Sequence, residues 1–313
     1  MSHLVAVYTG FALLSLPLFV RLPARTAIAI VYLAGLVYPP PLAYPAVDAR
    51  AFPWWIIGSA LPSDLMLGRA WVAPLVALAG GLAADRAAWR RFRPGPGDLA
   101  MLGWCLWPLV QEAIVPGASS PAGWRSALYL MGVWGAPWLL GRIHFATRQD
   151  GWLLLRTLCY VTLPLLPFAL WEALAGPLLH DALIGPHPFH ADGVSRYLGY
   201  RPLLLFENGN QYGIWICCAA LAAVAVAREA RQREATRGEG AHDRRAGDRW
   251  VVIACALGLT AVAAQSVGAL ALLGIALMLL FSRFARRGLR VVMAPLLLGG
   301  LLLAGVYASG TVP

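Results

Sequence analysis

The sequence predicts an all-α protein, a polytopic transmembrane helical bundle of about ten spans with both termini outside. Three observations lead there. Of the 313 residues 59% are hydrophobic and only 13% charged, about half of the roughly 25% that an ordinary soluble domain carries. The mean hydropathy is +0.65, which one buried core under a soluble shell does not produce. Apolar stretches approaching the ~20 residues that a spanning helix needs recur along the whole chain, separated by arginine-bearing segments. This composition excludes a soluble enzyme, a disordered chain and a nucleic-acid binder with a basic face open to solvent.

Ten stretches read as spans, near 4–20, 27–44, 66–84, 98–115, 125–141, 152–175, 203–227, 250–265, 268–282 and 290–308. The segment 51–62 is short and flanked by proline. Its Trp54 and Trp55 suit the headgroup level, so it reads as interfacial or re-entrant. The 25 basic residues are all arginine and face 15 acids, a net charge of +10. Nineteen of them fall on alternate loops, at 21–26, 85–97, 142–151, 228–249 and 283–290. The opposite loops and span ends hold five: Arg50, Arg69, Arg125, Arg196 and Arg201. Positively charged loops stay in the cytoplasm, which orients the chain in a membrane. Arg156, just inside the sixth span, snorkels to the cytoplasmic headgroups.

The N-terminus lacks a basic leader and carries its arginines after the apolar stretch, the reverse of a cleaved signal peptide. The five cysteines all lie in spans with no CxxC spacing, and read as small buried hydrophobes. Residues 228–249 form the one strongly polar stretch; they read as a solvated cytoplasmic linker that fixes topology, with a tail for a partner or anionic lipid as the alternative. Residues 1–313 are expected to form a single integral membrane domain, with basic loops near 86–93 and 283–290 against anionic lipid headgroups.

The outer face carries the chemistry. The loop 176–202 holds His180, His187 and His190, with Asp181, Asp192, Arg196 and Arg201. His187 and His190 with Asp192 have a metal-like spacing, but Pro188 breaks the turn that would align them, and no metal is expected. A histidine serving as general base and a set of solvated loop residues are the other two readings. Directly after the loop, Glu207, Asn208, Asn210 and Gln211 open the seventh span. Such groups must face protein, water or a polar ligand, because burying them bare in hydrocarbon costs several kcal/mol. Glu207 and Gln211, four apart, share one helix face, with Asn208 beside them, and Gly209 and Gly213 let another helix or a substrate approach closely. Two arginines above a polar helix mouth suit a diphosphate, since guanidinium forks bind phosphate oxygens bidentately. A structural polar knot between helices is the competing reading.

The run RPLLLFENGNQYGIW (201–215), followed by a cytoplasmic break and AAQSVGALALLGIALMLL (263–280), resembles the O-antigen ligase / O-antigen polymerase superfamily. Arg201, Phe206, Asn208 and Asn210 match the arginine and the Asn-containing helix entry of that pattern, and Ser266 falls at its serine-rich hairpin. The sequence departs from the pattern at Gly209, where many relatives have proline, and at Val267, where many have arginine. The resemblance also implies a large periplasmic loop after 290–308, so the chain is expected to stop short of it.

The resemblance implies a bacterial inner-membrane glycosyltransferase that moves glycan from undecaprenyl diphosphate at the periplasmic face. The acceptor would be a glycan or lipid, with no metal or other cofactor and no nucleic-acid partner. Arg201 and Arg196 would hold the diphosphate, helped by Arg125 and Arg69. Glu207 would take sugar or acceptor hydroxyls or hold an arginine, Gln265 would line the same cavity with Asn208, Asn210 and Gln211, and His187 or His190 would stand in for the family's implicated histidine. The alternative from another class is a non-enzymatic transporter or scaffold of a polysaccharide export system.

Overall fold

The computed structural model describes residues 2–40, 68–114, 123–183, 195–196, 199–237 and 241–282. These residues are all-α apart from one hairpin of two-residue strands. The elements are α1 (Ser2–Arg21), α2 (Ala24–Val37), α3 (Arg69–Ala84), α4 (Arg86–Arg91), α5 (Pro96–Ile114), α6 (Gly123–Leu130), α7 (Ala136–His144), α8 (Arg148–Thr162), α9 (Leu166–Ala175), α10 (Leu178–Leu183), β1 (Ser195–Arg196), β2 (Gly199–Tyr200), α11 (Gly209–Arg237), α12 (Ala241–Ala263) and α13 (Val267–Phe281). The chain divides into two compact units, Met1–Ser266 and Val267–Pro313. In the second, the described residues are α13 and its C-terminal Ser282.

Two of the expected spans are helices with a proline-centred irregularity. A π-helical turn, Met131–Gly135, joins α6 to α7 just before Pro137. A 3-10 turn, Leu163–Leu165, joins α8 to α9 around Pro164. Proline removes a donor and crowds the carbonyl four residues back, and a local change of helix type accommodates it without breaking the rod. Two described helical stretches, Arg148–Ala175 and Gly209–Arg233, are long and apolar enough to cross a membrane. Four more apolar helices are shorter: Val5–Arg21, Ala24–Val37, Arg69–Ala84 and Val267–Phe281.

Within the first unit, α2 packs on α3 and α8, α3 also meets α1, and α11 lies along α12 and α8. Ile28, Val31, Ala77 and Leu140 form a buried apolar centre, flanked by Phe11, Leu18 and Phe19. Small residues set the spacing: a Cβ on Gly80 would meet the Phe19 ring, and one on Gly81 would meet Ile28. Cys105, Cys159 and Cys217 are buried as expected, whereas Cys218 and Cys255 are exposed on their helices.

Most of the polar stretch 228–249 is helical. Its described residues continue α11 to Arg237 and begin α12 at Ala241. The reason is local: Arg, Glu, Gln and Ala are good helix formers, and Glu229 and Arg233, four apart, form an ion pair at 3.1 Å of the kind that supports an exposed helix. The opposite correction applies at the other end of α11. The helix begins at Gly209 rather than near 203, and residues 203–208 form a structured turn before it.

Candidate functional site

That turn is held from inside. Glu172 on α9 is fully buried, and its carboxyl oxygens accept backbone N–H groups from three places. His180 donates at 3.0 Å, Leu203 at 2.9 Å and Leu204 at 2.8 Å. The nearby His180 ring is buried too, with Nδ1 2.9 Å from the Leu204 carbonyl oxygen. Arg69, at the start of α3, donates to the Leu205 carbonyl oxygen, and its guanidinium lies 5.1 Å from the centre of the Phe206 ring. The N–H groups of Leu203 and Leu204 and the carbonyls of Leu204 and Leu205 thus find partners in three side chains from distant parts of the chain. Phe206 N–H donates to the Leu203 carbonyl oxygen at 2.9 Å, pairing of the kind that a non-helical segment away from water requires. Leu204 takes a positive φ of 50° and is fully buried, a conformation a branched side chain adopts only when its surroundings impose it.

The Asn208 side chain caps α11, its Oδ1 accepting from the Asn210 N–H at 3.0 Å and the Gln211 N–H at 2.9 Å, the usual work of asparagine at a helix start. Gln211 Nε2 donates to Glu207 Oε2 at 2.7 Å. Glu207 and Gln211 thus meet as expected, although Glu207 precedes the helix. Asn210 Oδ1 accepts from Ser266 Oγ at 3.4 Å. Below the mouth, Phe206 packs against Tyr212 and Trp215, and Trp215 Nε1 donates to Thr162 Oγ1 at 2.9 Å.

Above the mouth sit the two arginines. Ser195 pairs with Tyr200 and Arg196 with Gly199 in the short antiparallel hairpin, which brings Arg196 beside Arg201. Gly199 has φ of 119°, and a Cβ there would approach the Ala173 carbonyl oxygen at 2.6 Å, so the hairpin needs glycine. The Arg201 stem runs across Gly209, where a Cβ would lie 1.9 Å from Arg201 Cδ. The close approach anticipated at Gly209 is therefore made by the arginine itself. Arg201 is 9% exposed; its Nη2 donates to the Gln265 carbonyl oxygen at 3.5 Å, and Gln265 Nε2 donates to the Tyr200 carbonyl oxygen at 3.4 Å. Gln265, at φ of 50°, belongs to the same corner.

The Nε–H groups of Arg196 and Arg201 are both buried and find no hydrogen-bond partner among the described residues. Neither guanidinium has a carboxylate partner among them. Burial, and secondarily the positive charge of Arg196, lower the Arg201 pKa from its ordinary value. Two guanidinium groups drawn together and partly dehydrated, with no carboxylate partner among the described residues, have the charge and donor geometry that suit an anion.

Of the other expected site residues, Arg125 has its guanidinium 5.5 Å from the centre of the Trp124 ring. His187, His190 and Asp192 fall outside the described residues, as does the segment 51–62. Glu172 and His180, which hold the turn, carry a signal in the sequence: an acid inside an apolar run, and a histidine just past the glycine-proline break that ends it. Compared with known proteins, the chain matches no family model, no curated protein and no solved structure.

Proposed function

We propose that the chain is a multi-pass protein of a bacterial inner membrane, with about ten spans and both termini outside. In this reading it transfers glycan from undecaprenyl diphosphate at the periplasmic face, in the manner of the O-antigen ligase / O-antigen polymerase superfamily. The observation that carries this reading is the Arg196–Arg201 pair at a polar helix mouth, Arg201 buried and Arg196 half-buried, without a carboxylate partner among the described residues. Support for the membrane comes from apolar side chains turned outward on several helices, among them Val20 at 86%, Leu174 at 81% and Leu14 at 78% exposure. A soluble surface scatters such residues singly; a lipid-facing one collects them.

Transfer breaks the bond between the anomeric carbon and the diphosphate oxygen, and forms a bond from the acceptor hydroxyl to that carbon with inversion. The leaving diphosphate gains negative charge as the bond lengthens. Arg196 and Arg201, already in place and poorly hydrated, neutralise it, which is electrostatic stabilisation of the transition state. Glu207, bonded to Gln211, faces acceptor or sugar hydroxyls at the same mouth. The acceptor proton passes to a general base, for which His187 and His190 are the proposed residues.

Complementation with surface polysaccharide as the readout tests this. Arg201→Ala and Glu207→Ala are each expected to lower product and accumulate the lipid-linked precursor, Arg201→Ala by roughly 100-fold, the usual loss when one preorganised donor is removed. Arg201→Lys keeps the charge without the fork and should recover only part of it. Unchanged surface glycan in the Arg196→Ala/Arg201→Ala double variant would refute the enzyme and leave the transporter or scaffold.

A further inference from the structure

The opposite ends of the same helices carry a second polar site. Between Gly209 and Arg233, α11 runs 25 residues, about 36 Å at 1.5 Å per residue, away from the Arg201 mouth. There a cleft of about 720 Å³ opens between α2, α8 and α11. Four arginines line it: Arg25 from α2, Arg148 and Arg156 from α8, and Arg233 from α11. Only two acids accompany them, Asp150 and Glu229, so the walls hold a net charge of +2. The acids fix three of the arginines in place. Arg25 Nη1 lies 2.7 Å from Asp150, Arg148 3.3 Å from Glu229, and Arg233 3.1 Å from Glu229. Asp150 is itself held by the Thr147 cap of α8.

Two groups in this cleft have unused capacity. Arg156 is exposed and has no ion-pair or hydrogen-bond partner among the described residues. Trp152, which also lines the cleft, has its indole N–H buried with no hydrogen-bond partner among them, and the Arg148 guanidinium stands 6.0 Å from its ring. An adjoining depression of about 320 Å³ shares Arg25 and adds Arg91, Arg93 and Arg142, so the positive field extends past the cleft.

We propose that this cleft binds a phosphate-bearing anion, either the headgroup of an anionic lipid or a free phosphate compound, with Arg156 and Arg148 as its primary contacts. Guanidinium groups held apart on different helices can grip separate phosphate oxygens, and basic pockets between membrane helices take anionic headgroups in this way. The indole N–H supplies one further donor. The proposal is separate from the glycan-transfer reading: it concerns other residues, at the other end of the bundle.

The test uses the full chain purified in detergent, with retained ligand counted by native mass spectrometry. The probes are phosphatidylglycerol, phosphatidylcholine as the neutral control, and inorganic pyrophosphate. Wild type is expected to retain phosphatidylglycerol or pyrophosphate well above phosphatidylcholine. The Arg148→Gln/Arg156→Gln variant should bind the retained anion about 10-fold less tightly, the scale of one lost bidentate contact. The Arg21→Gln/Arg90→Gln variant removes the same two charges outside the cleft and should stay within about 2-fold of wild type, because screening at ordinary salt weakens distant charges. Retention of phosphatidylglycerol identifies a lipid headgroup; retention of pyrophosphate alone identifies a soluble ligand. Equal loss in both double variants, or no preference for either anion over phosphatidylcholine, would overturn the proposal.

Discussion

Arginines at the two ends of the first unit are handled in opposite ways. At the Arg-rich end several are exposed and matched: Arg25 with Asp150, Arg142 with Asp98, Arg148 with Glu229 and Arg231 with Asp248. Arg156, without a partner among the described residues, is exposed to solvent or headgroups. At the other end Arg196 and Arg201 have buried Nε–H groups and no carboxylate among the described residues. The first arrangement costs little, since water and carboxylates both solvate the charge, and such pairs contribute about 0–1 kcal/mol. The second is unfavourable by itself and sits beside a turn whose backbone is held by Glu172, His180 and Arg69. A net charge of +10 says nothing about which arginines matter; burial and the absence of a counter-charge do.

The lock is where this contrast breaks most easily. Glu172→Ala leaves three backbone N–H groups without their acceptor, and each unsatisfied buried donor costs about 1–3 kcal/mol. A loss of about 3–5 kcal/mol of stability is expected, read as a large drop in the thermal midpoint of the detergent-solubilised protein. A midpoint close to wild type would show that the turn is held by other contacts.

Gly209→Ala probes the arginine itself. The new methyl occupies the space of the Arg201 stem, so the guanidinium must leave its place. Overpacking of this kind costs about 1–3 kcal/mol, and the transfer proposal adds a loss of product approaching that of Arg201→Ala. Product at the wild-type level would separate the position of Arg201 from activity.

At the opposite end, His144 gives a pH dependence. It is buried, with both ring nitrogens unpartnered in hydrogen bonds among the described residues, and Asp85 stands 4.0 Å away. Burial lowers its pKa below the ordinary 6.5; Asp85 opposes that shift and Arg25 adds to it. The unfolded chain therefore takes up a proton near pH 6.5 while the folded one still resists, and stability falls as pH drops through that range. Thermal midpoints between pH 7.5 and 5.5 should decline in wild type and decline less in His144→Phe; identical slopes would discount this residue.

The smallest effect belongs to the exposed pairs. Arg148 is 80% exposed in its pair with Glu229, so Arg148→Ala should change stability by no more than about 0.5 kcal/mol. A larger drop in chemical denaturation would show that the Arg-rich end is braced by its ion pairs after all.

Several of these features were legible in the sequence. The adjacency of Arg196 and Arg201 to the polar run 207–211 could be read directly, because the residues lie within one short segment. Asn208 beside Gly209 and Asn210 looked like a helix entrance, and it caps one. The continuation of α11 through Glu229 and Arg233 is not visible in polarity alone, because the i,i+4 pairing of helix formers stabilises an exposed helix as readily as solvation suits a loop. Glu172 stood out only as an acid in apolar surroundings. Its partners are 8, 31 and 32 residues away, and Arg69 reaches a carbonyl 136 residues on. No local pattern encodes such distances.

The sequence by itself determined the helical class, the positions of the apolar stretches and the separation of many arginines from few. Those properties follow from composition and short-range periodicity, which each segment carries alone. Only the tertiary structure decided that residues 203–208 would be a turn instead of a helix, and that backbone groups of Leu203, Leu204 and Leu205 would be held by Glu172, His180 and Arg69. It also decided that Arg196 and Arg201 would be drawn together without an acid among the described residues, and that four other arginines would surround one cleft. The physical reason is that hydrogen bonds and charges act over a few ångströms in space, while the residues that make them lie up to 136 positions apart along the chain.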